Sequence, residues 1–210
     1  MMIDKIKTIS SFLDETYPNV GCELKYNKDY ELVIAVMLSA QTTDIAVNAI
    51  TPTLFAKYDS LEKLSNAKLE DIEEIIHPIG LYKNKAKNVL LTTKMLVEYF
   101  NGEVPSDKDI LQTFPGVGNK TAGVIRAEIF KIPDLPVDTH ILRISKRLKI
   151  ANKDDDPYKT EMKLKKSFDE STWIKIHHQL IHFGRDICKA KNPDCQKCKL
   201  TEFCKDFNSI

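Results

Sequence analysis

Hydrophobic residues recur with helical spacing along most of the chain, and no segment alternates between apolar and polar positions as a half-buried strand would. Residues 3–16 predict an amphipathic helix, whose apolar face would carry Ile3, Ile6, Ile9, Phe12 and Leu13. Residues 29–40 contain Leu-Val-Ile-Ala-Val-Met-Leu, which has no polar face and therefore predicts a buried helix. Further helices are predicted near 158–169 and 171–186. The pattern indicates an all-α fold.

A glycine-rich turn interrupts the helical pattern at residues 114–122, Phe-Pro-Gly-Val-Gly-Asn-Lys-Thr-Ala. Gly116 and Gly118 permit backbone angles that side chains would forbid, so the turn can be tight and uncovered. A helix is predicted to begin at about Asn119, which places Lys120 in its first turn. The partial positive charge at a helix N-terminus disfavours an additional cation there. The position therefore favours the neutral amine that a nucleophilic lysine needs.

A carboxylate follows this lysine in the segment Val137-Asp138-Thr139-His140. Asp138 precedes a predicted helix, so we expect it to be the N-cap and to remain ionised. Residues 132–137 contain two prolines and are predicted to be extended. An extended segment of this length retraces at most about 23 Å, which is enough to bring the carboxylate back towards the amine.

The net charge is only +1, so overall basicity does not indicate a nucleic-acid partner, but the charges are unevenly distributed. Residues 59–74 carry an excess of acids, which should face away from DNA. Residues 75–97 and 140–153 contain no acid, and each of the two runs is a candidate phosphate-facing surface. Their basic residues are Lys83, Lys85, Lys87 and Lys94 in the first run, and Arg143, Lys146, Arg147, Lys149 and Lys153 in the second.

Charged residues near the N-terminus stand where a signal peptide would have an apolar run. The longest apolar run, residues 32–38, is too short to span a bilayer. We therefore expect a cytoplasmic protein, associated with the nucleoid in a bacterium. Disulfides are rare in that compartment, so the five cysteines call for another explanation.

Four of the cysteines lie close together near the C-terminus with the spacing C-x6-C-x2-C-x5-C: Cys188, Cys195, Cys198 and Cys204. Clustered thiolates repel one another and need a cation, so the pattern predicts a metal site. Four-cysteine zinc sites are common, although they usually use two C-x-x-C pairs, and a [4Fe–4S] cluster is chemically equally suitable. Cys22 lies outside the pattern and is expected to be a small buried hydrophobe.

The sequence Leu111-x-x-Phe-Pro-Gly-Val-Gly-x-Lys-Thr-Ala, followed by Val-Asp-Thr-His, resembles the helix-hairpin-helix DNA glycosylases and specifically the endonuclease III family. The resemblance extends almost from end to end. It includes Leu-Ser-Ala-Gln-Thr-Thr-Asp at 38–44, Gly-Leu-Tyr at 80–82 and the four cysteines. In this family, the cysteine spacing is typical of the iron–sulfur members, so the resemblance implies a [4Fe–4S] cluster rather than zinc.

The resemblance also implies two helical lobes. Residues 22–132 would form a six-helix lobe that contains the helix-hairpin-helix motif at about 107–131. Residues 1–21 and 133–210 would form the lobe that carries the C-terminal cluster loop.

By the same resemblance, Lys120 would be the catalytic nucleophile and Asp138 the catalytic carboxylate. Gln41 would fill the space that an extruded nucleotide leaves, and Leu81 would wedge between bases. Lys189 and Lys191 lie within the cluster loop and would face phosphate. The expected DNA-binding residues are Gln41, Leu81, Gly116, Val117, Gly118, Lys189 and Lys191.

The implied activity is that of a bifunctional glycosylase and abasic-site lyase of base excision repair, which removes oxidised pyrimidines and cleaves the strand by β-elimination. Its partner would be double-stranded DNA that contains damaged bases or abasic sites. The protein would act as a monomer and would not bind a membrane. A monofunctional mismatch glycosylase is an alternative that Lys120 disfavours; adenine-mismatch relatives also have an extra C-terminal domain, for which 210 residues leave no room. A non-catalytic iron–sulfur protein that binds DNA through the hairpin is the second alternative.

Overall fold

The computed structural model describes residues 2–207, and every regular element in that range is helical. The prediction of an all-α fold is therefore confirmed. The α-helices are α1 (Met2–Thr16), α2 (Asp29–Leu38), α3 (Asp44–Lys57), α4 (Leu61–Ser65), α5 (Leu69–Ile76), α6 (Tyr82–Phe100), α7 (Lys108–Gln112), α8 (Asn119–Phe130), α9 (Thr139–Arg147), α10 (Pro157–Ser167) and α11 (Trp173–Asp186). Short 3-10 helices cover Glu170–Thr172, Cys195–Lys197 and Thr201–Phe203. Within residues 2–207, none of the helices combines the length and apolar character needed to cross a membrane.

The chain divides into two compact units. One, here called the hairpin unit, comprises Glu23–Phe130. The other, here called the cysteine unit, joins the residues up to Cys22 to those from Lys131 onward. The hairpin unit contains seven helical segments, against the six that the resemblance implies, and two of the seven are only five residues long.

Helix α2 lies at the centre of the hairpin unit and is buried from Tyr30 through Leu38. This agrees with an apolar run that has no polar face. Glu31 is a charged residue within this buried stretch, and its hydrogen bonds explain why it can be buried. Its carboxylate accepts hydrogen bonds from the backbone N–H groups of Asn27 and Lys28, at 2.8 and 3.3 Å. A charged group is thus used to satisfy donors at the start of a buried helix.

Helices α1, α9, α10 and α11 contribute to one hydrophobic core in the cysteine unit. Phe12 of α1 meets Phe183 of α11 edge to face, with ring centroids 5.5 Å apart. Ile9 and Leu13 are fully buried, whereas Ile3 is 71% exposed. The predicted apolar face of α1 is therefore correct in its second half and wrong at Ile3. The core of this unit does not extend to the first turn of the helix.

The segment before α9 is irregular from Lys131 to Asp138 and is fixed by its neighbours in the cysteine unit. Leu135 and Val137 are buried in the core. The Lys165 ammonium donates to the buried carboxylate of Asp134. The Nδ1 atom of His177 lies 3.0 Å from the carbonyl oxygen of Pro136. These contacts determine where the chain enters α9.

Candidate DNA-binding surface and metal centre

The predicted helix-hairpin-helix is formed by α7, the turn at residues 113–118 and α8. Phe114 anchors the turn: it is 1% exposed and packs edge to face on Phe100, at a centroid distance of 5.6 Å. The backbone N–H of Val117 donates to the Phe114 carbonyl over 3.0 Å, and the Val117 side chain is buried. Gly116 and Gly118 remain exposed. The apolar residues therefore hold the turn from below and leave its glycine backbone uncovered.

The two glycines of the turn are not equivalent. Gly116 has φ +82°, and a Cβ added there would lie 2.5 Å from Nδ2 of Asn88. This position requires glycine for its backbone angle and for its contact with α6. Gly118 has no positive φ, and an added Cβ would meet nothing within 4 Å. Of the two glycines, Gly116 therefore uses the backbone freedom that the sequence offers, and Gly118 does not.

Lys120 and Asp138 both lie at helix N-termini, as the sequence predicted. Helix α8 begins at Asn119, so Lys120 lies in its first turn, and its side chain is exposed. Asp138 is the N-cap of α9, where its Oδ1 accepts the backbone N–H of Ile141 at 2.8 Å. The N-cap prediction is confirmed. Lys120 belongs to the hairpin unit and Asp138 to the cysteine unit.

Three predicted DNA-binding residues line one cavity of the hairpin unit: Gln41, Leu81 and Gly116. The cavity holds about 520 Å³ of space free of protein atoms, part of it open to solvent. Helix α6 supplies polar groups to its wall through Asn84, Lys85 and Asn88. The structure thus brings together residues that are 75 positions apart in sequence, from Gln41 to Gly116.

Two of these residues have backbones in the left-handed region. Gln41 has φ +55° and Leu81 has φ +60°. Both side chains are exposed, and Leu81 retains 59% of its accessible surface. Left-handed angles are uncommon for residues other than glycine, asparagine and aspartate, and such strained positions often occur at functional sites. The structure therefore marks both residues as unusual on grounds that are independent of the sequence motif.

Lys85 also lines this cavity, and the sequence did not indicate that it would. The basic run at 75–97 is a candidate phosphate-facing surface, but Lys85 within it is only 7% exposed. Its ammonium donates to the Thr42 hydroxyl over 2.6 Å. Burial lowers the pKa of Lys85. The sequence contains no signal for this contact, because Thr42 lies 43 residues away.

The four clustered cysteines line a second cavity, which lies within the cysteine unit. All four are half-buried free thiols. The cavity has about 370 Å³ of space free of protein atoms, part of it open to solvent. The remaining lining is largely apolar, with Leu148, Phe183 and Ile187 among it. Within residues 2–207, no group of three or more His, Cys, Asp or Glu side chains converges closely enough to hold a single metal ion.

The environment of these thiols is unfavourable to negative charge in the absence of a cation. Burial raises the pKa of Cys198 to about 11, against the lowering effect of a hydrogen bond from the Leu200 backbone. Burial and the neighbouring Cys204 and Cys188 also raise the pKa of Cys195. A bound cation would offset the repulsion and favour the thiolate form. The donor set therefore fits a metal-containing group.

Two arginines of α9 hold the start of the cysteine loop, which we define as residues 188–204. Arg143 donates to the carbonyl oxygens of Cys188, over 2.8 and 3.1 Å, and of Gly184, over 2.9 Å. Arg147 donates to the carbonyl of Lys189 over 2.7 Å and lies 3.4 Å from the Cys188 sulfur. The prediction that these two arginines face phosphate is wrong, because their guanidinium groups are bonded within the protein.

The close approach of α9 and α11 makes the Arg143 contacts possible. A Cβ added at Gly184 of α11 would lie 2.8 Å from the Cβ of His140 on α9. Glycine therefore allows the two helices to approach closely at this point. Lys189 and Lys191, the predicted phosphate contacts of the loop, are exposed.

Comparison with known proteins agrees with this arrangement. Residues 34–170 match the model of the HhH-GPD superfamily of base excision DNA repair proteins. Endonuclease III of Bacillus subtilis is 44% identical over 204 residues, which cover 96% of this chain and 93% of the relative. Endonuclease III of Escherichia coli K12 is 38% identical over 193 residues, with coverage of 92% and 91%.

Solved structures give the same result. A non-covalent endonuclease III–DNA complex has a TM-score of 0.95 and 40% sequence identity, and the match covers 99% of this chain and 97% of that one. A trapped covalent endonuclease III–DNA intermediate matches with the same values. A thermostable thymine-DNA glycosylase, at 20% identity and a TM-score of 0.86, shares the fold. The chain therefore belongs to the endonuclease III family of the HhH-GPD superfamily.

Proposed function

We propose that this protein is a bifunctional DNA glycosylase and abasic-site lyase, which removes oxidised pyrimidines during base excision repair. The observation that carries the proposal is the exposed Lys120, in the first turn of the helix that follows the hairpin. It belongs to a chain whose fold matches a protein trapped in a covalent intermediate with DNA. A nucleophilic amine is what such an intermediate requires.

Lys120 would act on the deoxyribose of the damaged nucleotide. Its amine attacks C1′, a C1′–N bond to the lysine forms, and the glycosidic bond breaks as the base leaves with a proton. The sugar ring opens to give a Schiff base. Loss of a C2′ proton then expels the 3′ phosphate by β-elimination, which cuts the strand on the 3′ side. Water hydrolyses the remaining Schiff base and restores the amine.

Asp138 would stabilise the positive charge that develops on the sugar and assist proton transfer. Its N-cap geometry supports this role, because one oxygen is held by the Ile141 N–H while the carboxylate stays at the start of α9. The hydrogen bond from the Ile141 N–H therefore fixes the orientation of this carboxylate.

The cavity of the hairpin unit would meet the duplex at the extruded nucleotide, since chemistry at C1′ requires the target to leave the stack. Leu81 would enter between bases and Gln41 would occupy the vacated space. The turn at Gly116, Val117 and Gly118 would approach phosphate with its backbone, which the uncovered glycines make sterically possible. Lys189 and Lys191 would add phosphate contacts from the cysteine loop.

The metal-containing group is proposed to be a [4Fe–4S] cluster held by Cys188, Cys195, Cys198 and Cys204. Cysteines bound to one zinc ion converge on a single point, whereas those of a cluster bind different irons and surround a space. The four cysteines contain only one C-x-x-C pair, whereas four-cysteine zinc sites usually have two, and their spacing resembles that of the iron–sulfur members of the family, which supports the cluster. The cluster would supply the positive charge that keeps the buried thiolates ionised and the loop ordered.

The partner would be double-stranded DNA that contains damaged bases or abasic sites, bound by a monomer in the cytoplasm. The endonuclease III–DNA complexes with the same fold support a DNA partner.

The proposal is tested by borohydride trapping on duplexes that contain thymine glycol or an abasic site. The wild-type protein should form a covalent adduct that maps to Lys120 and should cut the strand. Lys120→Ala should lose the adduct and reduce cleavage by at least about 10³-fold, since no amine remains in position. Lys87→Ala, at an exposed lysine in the same unit, is the matched control and should keep the adduct.

The same assay separates the alternatives. A monofunctional glycosylase would release the base without an adduct or a strand break. A non-catalytic DNA-binding protein would do neither in its wild-type form. Unchanged cleavage by Lys120→Ala would contradict the proposed mechanism.

A further inference from the structure

One face of α6 contacts each segment of the hairpin-unit cavity. Leu81, Lys85 and Asn88 are spaced four and three residues apart, so they lie on one side of the helix. Leu81 is the residue before α6 and points an exposed side chain outward. Asn88 lies against Gly116 of the hairpin turn. Lys85 bonds the loop that carries Gln41, through Thr42.

The Lys85 contact is unusual because a lysine of low exposure, in the wall of the cavity, donates to a single neutral hydroxyl. Lys85 is 7% exposed, and its hydrogen bond to Thr42 is 2.6 Å long. Burying an ammonium group is unfavourable unless it is hydrogen-bonded, so lysine is seldom found at such a position without a specific contact. Methionine would fill the same space without the electrostatic penalty. The polar contact therefore needs an explanation other than packing.

The loop that Lys85 reaches consists of residues 39–43, between α2 and α3. The Thr42 N–H donates to the Ser39 carbonyl over 3.0 Å, and the Thr43 hydroxyl accepts the Ala46 N–H at 3.2 Å as the N-cap of α3. Gln41 lies between these contacts with φ +55°. The Lys85–Thr42 bond is the side-chain contact that ties the residue next to Gln41 to α6.

We infer that Lys85 is a positioning residue, which holds the Gln41 loop through the Thr42 hydroxyl so that Gln41 and Leu81 keep a fixed separation. This inference rests on the proposed function, in which the two side chains enter the duplex together. A left-handed glutamine is held only when its surroundings determine the conformation. A loop that is already fixed in the free protein loses little conformational entropy when DNA binds and the nucleotide is extruded, so binding would be tighter.

The competing role for a cavity lysine is a direct phosphate contact. A phosphate lysine contributes to all duplexes alike and gives a salt dependence whose slope falls by about one when it is removed. A positioning lysine acts on the damaged duplex alone, because only there do Gln41 and Leu81 have a gap to fill. The two roles therefore differ in specificity and in response to salt.

The experiment compares Lys85→Met, Thr42→Val and Thr42→Ser with the wild-type protein. Lys87→Met is the matched control, because Lys87 is an exposed lysine on the same helix. Affinity is measured for an undamaged duplex and for a duplex with a stable abasic analogue, at several salt concentrations. A 2-aminopurine opposite the analogue reports local unstacking by its fluorescence.

We expect Lys85→Met and Thr42→Val each to weaken binding to the abasic duplex about tenfold and to reduce the fluorescence change. Binding to undamaged duplex and the salt slope should stay close to the wild-type values. The double variant should lose little more than either single variant, because both remove one contact. Thr42→Ser retains the hydroxyl and should restore the wild-type behaviour. Lys87→Met should keep the wild-type ratio between the affinities for the two duplexes, because Lys87 does not bond the Gln41 loop; an equal loss of this ratio in Lys87→Met and Lys85→Met would contradict the inference.

Equal losses on both duplexes with a reduced salt slope in Lys85→Met would overturn the inference in favour of a phosphate contact. Unchanged abasic binding in Thr42→Val would also overturn it. If Lys85→Met does not fold, the contrast between Thr42→Val and Thr42→Ser decides the question. Failure of the proposed function would instead appear as a wild-type protein that forms no borohydride adduct.

Discussion

The cavity of the hairpin unit and the cysteine loop are organised in different ways. The cavity is fixed by the protein itself, through the left-handed backbones at Gln41 and Leu81 and the polar contacts that α6 makes. The cysteine loop contains only short 3-10 helices and four free thiols. Its start is bonded to Arg143 and Arg147, and its thiols surround a cavity.

This difference indicates how each surface responds to loss of one group. In the cavity, several independent contacts define the geometry, so a single substitution should change affinity while the fold persists. In the loop, burial raises the pKa of Cys198 to about 11, so the thiolates depend on a shared cation. Removing one ligand or the metal should therefore affect all four cysteines together.

The largest expected effect comes from Cys198→Ala. We expect it to lose most of the iron and the brown colour, because one of the four proposed ligands of the cluster is missing. Trypsin should then cleave the loop at its exposed lysines, Lys189, Lys191, Lys197 and Lys199, much faster than in the wild-type protein. Iron analysis should give about four atoms per chain for the wild-type protein, and limited proteolysis measures the order of the loop.

Cys22→Ala is the matched control, because Cys22 lies outside the C-terminal pattern and belongs to the same unit. It should retain the iron content and the protease resistance of the wild-type protein. One zinc per chain in anaerobically purified wild-type protein would show that the proposed cluster is wrong.

An intermediate effect is expected at the hairpin turn. Gly116→Ala should destabilise the protein by about 1–2 kcal/mol, because alanine disfavours a left-handed backbone. It should also weaken binding to all duplexes, since the added methyl displaces Asn88 from the turn. Urea unfolding and DNA titration measure the two effects.

Gly118→Ala is the contrast within the same turn, because Gly118 has open space and no positive φ. Its free energy of unfolding should change by less than about 0.5 kcal/mol, as for an unconstrained surface substitution. Equal destabilisation by the two alanines would mean that the backbone angle at Gly116 is not what selects glycine.

The last comparison separates two roles of Asp138, as the N-cap of α9 and as the proposed catalytic carboxylate. Asp138→Ala should lower the free energy of unfolding by about 0.5–2 kcal/mol, because α9 loses its N-cap. Asp138→Asn should stay close to the wild-type stability, since asparagine caps helices as well as aspartate does. Both variants should slow strand cleavage strongly, because both remove the negative charge.

Thermal or urea unfolding and single-turnover cleavage together test this separation. Wild-type cleavage by Asp138→Asn would show that Asp138 acts only as a helix cap.

Local features of the site could be predicted from the sequence where neighbouring residues determine them. Helix α8 begins at Asn119 because a glycine turn precedes it, and Asp138 caps α9 because short acidic side chains satisfy N–H groups two or three residues ahead. The all-α fold follows from the spacing of apolar residues. Each of these predictions depends on contacts within one or two helical turns.

Features that depend on distant partners could not be predicted. Arg143 and Arg147 belong to a run of basic residues without acids, but the backbone and carboxylate oxygens that accept from them lie 41 to 59 residues away in sequence. In the sequence, nothing distinguishes Lys85 from Lys83 and Lys87, which are exposed. Only the folded structure shows that Lys85 donates to the Thr42 hydroxyl. Basic residues have similar intrinsic preferences whether they bind phosphate or backbone oxygen, so only tertiary packing distinguishes the two.

The backbone of Leu81 has a consequence for the rate of damage search. In its proposed role as a wedge, Leu81 would need no backbone rearrangement at a weakened base step, because its exposed side chain is carried by a left-handed residue directly before α6. Sliding along intact DNA would then be interrupted only where stacking is already poor. Because the free protein already holds Leu81 in this strained conformation, the time spent at each base step would be limited by the opening of the base pair and not by a change in the protein.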